Sequence, residues 1–412
     1  MARAHFDVIV DDLYQIKIYM KISVMAARYA ISGVPLAQLR FAQALNASGH
    51  DVDLVYGLVN PGYILPKIVG INVLILNEQR VIGMLLPLIR YFKEKRPDVV
   101  FTAGDHLNVI VLIAALISGS KAKISCSSRV TPFDAYSNVP FSKRWILKQL
   151  MRAVMPRANA LTCVSKDMVD QYRRVFKSPS HICIYNIIDD FQSHNRMIEP
   201  ADEEWFINKN EPILIAAGSL VVWKGFADLI LAMSELLKTK KAKLMILGDG
   251  PERGDLQKLI EKTNLIHSVK LLGYVENPLK YFSRADIFVL SSHVEGLPNV
   301  LVEAMMCGCT PVSTNCPTGP REVLQDGKYG YLVPVSDPIS LAAGIAKAID
   351  HPISASLLLD AVKPFAAHEV LARHFDILGL AYQTEDNVLD SRDGKHLVLT
   401  ADELLNKDKY EV

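Results

Sequence analysis

"SSHVEGLPNVLVEAMMCGCTPVST" runs from Ser291 to Thr314. It begins at the end of the apolar run "DIFVLSS" (286–292) and closes on the β-branched run "TPVST" (310–314). A buried strand, a loop, a helix and a second strand account for that order. Pro298 suits the first helical turn, where a missing N–H leaves nothing unpaired. Gly308 suits the helix end. Glu295 lies in the loop and Glu303 one turn into the helix, with seven residues between them.

Outward from this unit, the same rhythm repeats through most of the chain. Strand patterns in the second half are "PILIAAG" (212–218), "AKLMILG" (242–248), "SVKLLG" (268–273), "DIFVLSS", "TPVST" and "GYLVP" (330–334). In the first half they are "KISVMA" (21–26), "DVDLVYGL" (51–58), "INVLIL" (71–76), "DVVFT" (98–102), "AKISCSS" (122–128), "ALTCVS" (160–165) and "HICIY" (181–185). Helical patterns such as 35–49, 226–240 and 254–265 separate them. Strands apolar on both faces that alternate with helices predict parallel sheets covered on both sides.

The rhythm breaks between about 187 and 211, which is polar and without period, and this predicts a linker. The expected organisation is a Rossmann-like domain over 20–188, a linker over 189–211 and a second Rossmann-like domain over 212–350. A helical segment over 351–383 would cross back to the first domain, followed by a polar tail over 384–412. "MKISVMAA" from Met20 reads as a start that opens on a strand, so residues 1–19 are expected to be an upstream start or a loose extension.

Composition removes several classes. The 412 residues are 50% hydrophobic and 22% charged with net charge +1, so no overall field favours nucleic acid. The six cysteines (Cys126, Cys163, Cys183, Cys307, Cys309 and Cys316) form no CxxC pair, and no histidine pair has zinc spacing. They predict small buried residues in a reducing compartment and no metal site. Asp7, Asp11 and Asp12 interrupt the place a secretory signal would need, which predicts a cytoplasmic protein. "NVIVLIAALIS" (108–118) is about half a membrane span and reads as a buried helix.

In open α/β sheets, ligands bind beyond the carboxyl ends of the strands. Five successive strand ends in the second half carry glycine-rich or charged loops. "GSLVVWKGF" (218–226) places Lys224 where an ammonium can meet a diphosphate. "GDGPER" (248–253) offers Gly248 and Gly250 for close backbone approach. "GYVEN" (273–277) and "CPTGPREVL" (316–324) follow later strands. Gly296, Leu297, Pro298, Asn299 and Val300 form a helix start that can cradle phosphate. Carboxylates on either side can accept hydrogen bonds from the paired hydroxyls of ribose and hexose. The residues therefore favour a nucleotide-sugar site, although a surface loop with incidental glutamates has the same spacing.

Taken together, Gly218, Lys224, Gly225 and Phe226, then "GDGPE", "EGLPNVLVEAMMCGCTPV" and "GPREVLQDGKYGYLV" resemble the retaining glycosyltransferases of the GT-B fold, in the group named family 4. The resemblance implies two facing Rossmann-like domains with a cleft between them. It implies that Lys224 binds the donor diphosphate, Glu295 contacts the donor sugar and Glu303 holds the ribose. Gly33, Gly218, Ser219, Gly248, Gly250 and Val275 would complete the donor site. It also implies that a first-domain polar group lies beneath the donor sugar, for which His106 and Arg129 are the candidates; either can instead be a capping or packing residue. The "CPTGPREVL" segment is similar to members that build bacterial lipopolysaccharide, capsule or lipid-linked oligosaccharides.

Two positions depart from the pattern. Ser219 stands where the family usually has arginine, so one diphosphate contact must weaken or come from elsewhere. "ISGVPL" has only Gly33 where a double glycine is usual.

The expected activity is retaining transfer of a hexose or N-acetylhexosamine from a nucleoside diphosphate sugar, a UDP-sugar foremost, to a glycan or lipid-linked acceptor. No metal or other cofactor is expected. A non-catalytic nucleotide-sugar-binding protein of the same fold is the alternative. A dinucleotide dehydrogenase is disfavoured because "GDGPER" fails the G-x-G-x-x-G spacing. The segment 142–157, with Lys143, Arg144, Lys148, Arg152 and Arg157 among apolar residues, can rest on an anionic membrane or pack on the sheet with a solvated basic side.

Overall fold

A computed structural model describes residues 19–382 except 31, 32, 178 and 191. The segments 1–18 and 383–412 lie outside the described residues, and with them nearly all of the expected extension and tail.

The first sheet contains β1 (Lys21–Tyr29), β2 (Asp51–Val59), β3 (Ile71–Ile75), β4 (Val99–Ala103), β5 (Lys123–Ser128), β6 (Ala160–Cys163) and β7 (Ile182–Cys183). Their order is β3-β2-β1-β4-β5-β6-β7, and every pairing is parallel. The second sheet contains β8 (Ile213–Ala217), β9 (Lys243–Leu247), β10 (Val269–Gly273), β11 (Ile287–Leu290), β12 (Thr310–Thr314) and β13 (Tyr331–Val333). It is also all parallel, in the order β10-β9-β8-β11-β12-β13. Both orders reverse beside the first strand of the sheet, which creates the crevice where such folds bind ligands.

Each sheet is sandwiched because its strands bury both faces. All five residues of β4 and all four of β11 are buried. Alternate side chains feed separate cores: Ile215 and Phe288 pack with the Asn299–Met306 helix, while Leu214 and Val289 pack with the Phe226–Leu236 helix. The apolar 108–118 run is the body of the Asp105–Ser118 helix. Among the described residues no helix is long and apolar enough to cross a membrane.

The region from 187 to 211 is more ordered than its composition suggests. It contains helices Ser193–Ile198 and Glu204–Ile207 and lies along the second domain. Ser283 Oγ donates to Met197 O at 2.8 Å, and Lys270 Nζ meets Glu203 at 2.8 Å. These anchors come from side chains distant in sequence, so local periodicity does not reveal them. The late helical pattern is broken into Ala355–Val362 and Ala367–Ile377. The second of these returns to the first domain, where Val370, Leu371 and Phe375 join the core of β1 and β2.

The segment 142–157 forms the helix Lys143–Val154 and the turn that follows it. Leu147, Lys148, Met151 and Val154 are buried. Lys148 Nζ bonds Asn138 Oδ1 at 2.6 Å, and Arg157 donates to the carbonyls of Ser120 and Ala122 at 2.8 and 2.9 Å. Only Lys143, Arg144 and Arg152 of its five basic residues are exposed, alongside Ile146, Leu150 and the nearby Phe141.

Candidate active site

Because the strands of the second sheet all run the same way, the loops after β8 to β12 share one rim. Glycines let these loops approach one another. Gly248 has φ +130°, and a Cβ there would lie 1.9 Å from Gly218 O. Gly225 has φ +65°, and a Cβ there would lie 2.1 Å from Ser291 O. A side chain at either position would force the loops apart.

The packing brings Lys224 and Glu295 together. Lys224 Nζ lies 2.6 Å from Glu295 Oε1, with the two side chains 20% and 10% exposed. Ser292 Oγ donates to the same carboxylate oxygen at 2.6 Å, and Ser291 Oγ donates to Lys224 O at 2.9 Å. Thr318 Oγ1 donates to Glu295 O, which joins the loop after β12 to the cluster. His293 adds a second tie: its Nε2 is 2.8 Å from Asp228 Oδ2, and its N–H donates to Trp223 O at 2.8 Å. Ser291, Ser292, His293 and Asp228 thus hold the Lys224 loop against the Glu295 loop.

The helix Asn299–Met306 begins one residue after Pro298, which occupies its cap position with ψ 81°. Asn299 N–H is used by Leu297 O, and among the described residues Val300 N–H donates to no backbone carbonyl. Ser219 is exposed and Val275 half-buried beside the same rim. Gly33 opens the Gly33–Ala47 helix of the first domain with open space around it.

Glu303 is not part of the Lys224–Glu295 cluster. It is largely buried, and Arg40 Nη1 of the first domain donates to its Oε1 at 2.7 Å. Further ties cross between the domains. Asn186 Nδ2 donates to Asn299 Oδ1 at 2.9 Å. Glu322 in "GPREVL" accepts from Lys166 N–H at 2.8 Å and from Tyr185 OH at 2.6 Å.

Of the two first-domain candidates, Arg129 lies at this junction. Its Nη2 donates to Gln38 Oε1 at 3.0 Å, and its Nη1 donates to Asn186 Oδ1. A Cβ on Gly296 would lie 3.7 Å from Arg129 O, so the two rims face each other here. Burial pulls the Arg129 guanidinium down to about 10, which leaves it charged at neutral pH. His106 is exposed in the first turn of the Asp105–Ser118 helix, and no hydrogen bond or ion pair joins it to another described residue.

The buried neighbour Asp105 carries the structural load. Its carboxylate accepts from Ser128 Oγ at 2.9 Å, Tyr136 OH at 2.8 Å and Tyr172 OH at 3.0 Å. It thereby fixes the chain just before Arg129, and burial pushes its carboxyl above the usual range. Arg40, Ser292 and His293 were not singled out from the sequence: Arg40 and His293 act through partners 263 and 65 residues away, and Ser292 lies in the loop already read for Glu295 but shows its role only in the contact it makes. Among the described residues no three His, Cys, Asp or Glu side chains are grouped to hold a metal ion.

Sheets of this order, with loops meeting at one rim, define the class: a GT-B protein with two Rossmann-like domains. Residues 197–361 match the family of glycosyl transferases group 1, and residues 31–190 match glycosyltransferase family 4. Together the two matches cover most of the chain, one in each domain, and make both domains similar to glycosyltransferases. An uncharacterized glycosyltransferase of Methanocaldococcus jannaschii is 32% identical over 271 residues, covering 60% of this chain and 65% of its own. A Campylobacter jejuni enzyme is 31% identical over 250 residues, covering 60% of this chain and 66% of its own. That enzyme is named as an N-acetylgalactosamine-N,N'-diacetylbacillosaminyl-diphospho-undecaprenol 4-alpha-N-acetylgalactosaminyltransferase. The chain thus spans just under two thirds of these relatives' lengths. In structure, Anabaena HepE in complex with UDP-glucose aligns with TM-score 0.69 and 18% identity, over 88% of this chain and all of its own, which supports the fold.

Proposed function

We propose that the protein transfers a hexose or N-acetylhexosamine from a nucleoside diphosphate sugar to a hydroxyl of a glycan or lipid-linked acceptor, with retention at the anomeric carbon. The single observation that carries this reading is the Lys224–Glu295 pair at the rim of the second sheet. Donor binding would divide that pair. Lys224 would turn to the diphosphate, and Glu295 would be freed to accept from the sugar hydroxyls.

The bond from the anomeric carbon to the phosphate oxygen breaks, and its electrons stay on the diphosphate. Lys224 and the Val300 N–H stabilise that charge. The acceptor oxygen attacks from the face the diphosphate leaves, and its proton passes to the departing phosphate oxygen. Arg129 and His106 come from the domain that would present the acceptor. A UDP-sugar is the favoured donor, in keeping with the UDP-glucose bound by HepE. A lipid-linked acceptor is in keeping with the diphospho-undecaprenol acceptor in the Campylobacter relative's name. Lys143, Arg144, Arg152, Ile146, Leu150 and Phe141 would then face an anionic membrane from the cytoplasmic side.

A thermal-shift screen against UDP-, GDP-, ADP- and dTDP-sugars tests the donor class, because a ligand of the folded state raises its melting point. Nucleotide release from the stabilising donor then tests the chemistry. Release that disappears in Glu295→Ala supports transfer. Stabilisation without release, in the presence of glycan and lipid-linked acceptors, would favour the binding-only alternative.

A further inference from the structure

Glu303 is held by the opposite domain, and its partner is itself anchored. Arg40 projects from the Gly33–Ala47 helix; its Nη1 meets Glu303 Oε1 at 2.7 Å while its Nε lies 4.0 Å from Asp190 Oδ2. Asp190 takes Arg196 Nη2 on both oxygens, at 2.7 and 2.8 Å. The carbonyl of Arg196 accepts from Asn277 Nδ2 at 2.8 Å, in the loop that follows β10. One run of polar contacts thus links a first-domain helix, Glu303, the interdomain segment and the "GYVEN" loop.

Arg40 occupies only one oxygen of Glu303. Oε2 accepts no hydrogen bond among the described residues and is not sealed from solvent. The Arg40 and Glu303 side chains are 18% and 10% exposed, so screening by water is weak. Burial opposes the charge on Arg40, but Glu303 and Asp190 outweigh it and hold the guanidinium firmly protonated.

We infer that Arg40 is a positioning residue for donor recognition: by fixing Oε1 of Glu303 it presents Oε2 to the ribose hydroxyls of a nucleoside diphosphate, and only when the domains are closed. This rests on the donor reading above and on the ribose role that the resemblance implies for Glu303. A guanidinium suits the task because separate N–H groups can address Glu303 and Asp190 at once, whereas an ammonium is a single point charge. The consequence is that discrimination between ribose and deoxyribose depends on a residue that belongs to the other domain.

The test is calorimetric binding of UDP, GDP, ADP and CDP to the full chain. The tightest of these is then compared with its own 2′-deoxy and 3′-deoxy forms. Losing a hydroxyl bonded to a carboxylate should weaken wild-type binding by about tenfold or more. Arg40→Met should bring that ratio to within about threefold of one, and Arg40→Lys should restore part of it. A role in folding alone would lower the melting point without changing the ratio. If Arg40→Met proves unstable, Asp190→Asn carries the test, since releasing the second anchor of Arg40 should also lower the ratio. An unchanged ratio in a folded variant overturns the inference and leaves the donor reading intact. Failure of all four to bind wild-type protein while dTDP binds would overturn this inference alone, and failure of dTDP as well would overturn the donor reading with it.

Discussion

Replacing Lys224 with methionine separates stability from chemistry. Removing one member of a buried ion pair costs about 3–5 kcal/mol, because the other charge is left uncompensated. Here the side chains retain 20% and 10% exposure, and Ser292 Oγ still donates to Glu295. The expected loss is therefore smaller, about 1–2 kcal/mol, or a melting point lower by roughly 2–8 °C for a domain of this size. Turnover should fall further, by about 100-fold to 1000-fold, since a donor to the departing diphosphate is lost. The double variant Lys224→Met/Glu295→Gln removes both charges, so most of the stability should return while turnover stays low. Thermal melts and nucleotide release from the donor identified by the screen would measure both. A Lys224→Met protein within twofold of wild-type turnover would refute the reasoning. So would a double variant that regains turnover along with stability, since the pair would then be only a structural tie.

Three further outcomes are expected. Gly248→Ala should destabilise the second domain by about 3 kcal/mol or more, seen in urea melts, because its Cβ would lie 1.9 Å from Gly218 O at a φ of +130°. Glu322→Ala should loosen the domains, measured as a larger radius of gyration in solution scattering, because it releases Lys166 N–H and Tyr185 OH. Acidification should destabilise the first domain through two buried histidines. Burial lowers His181 to about 4 and, with Arg129 and Arg373 nearby, His374 to about 3. Their stability contribution is complete above the unfolded value near 6.5 and is lost as pH falls towards those lowered values, by about 1.4 kcal/mol per pH unit for each. Urea midpoints at pH 7 and pH 5 should show the loss, and His374→Phe should reduce it.

Among the described residues the thirteen strands fall within or beside the runs read from sequence, because most are short apolar stretches covered on both faces. Boundaries moved by a few residues where hydrogen bonding stopped earlier than hydrophobicity did, as at Ile182–Cys183 within "HICIY". Glycine placement was also informative, since Gly225 and Gly248 occupy positive φ beside another backbone. The interdomain segment was harder to read: its short helices take their order from Ser283, Lys270 and Asn277, none of which is nearby in sequence.

Local pattern by itself determined the α/β class, the repeat of strand, loop and helix in two halves, and the rim of loops that carries Lys224 and Glu295. Those features depend on periodicity and on residues that act through their own backbone. Which side chains meet was decided only by tertiary packing. Lys224 reaches a carboxylate 71 residues away, and Arg40 reaches one 263 residues away in the other domain. Glu295 and Glu303 look alike in sequence, yet they face different cations, because one lies in a loop held by its own sheet and the other on a helix that meets the opposite domain.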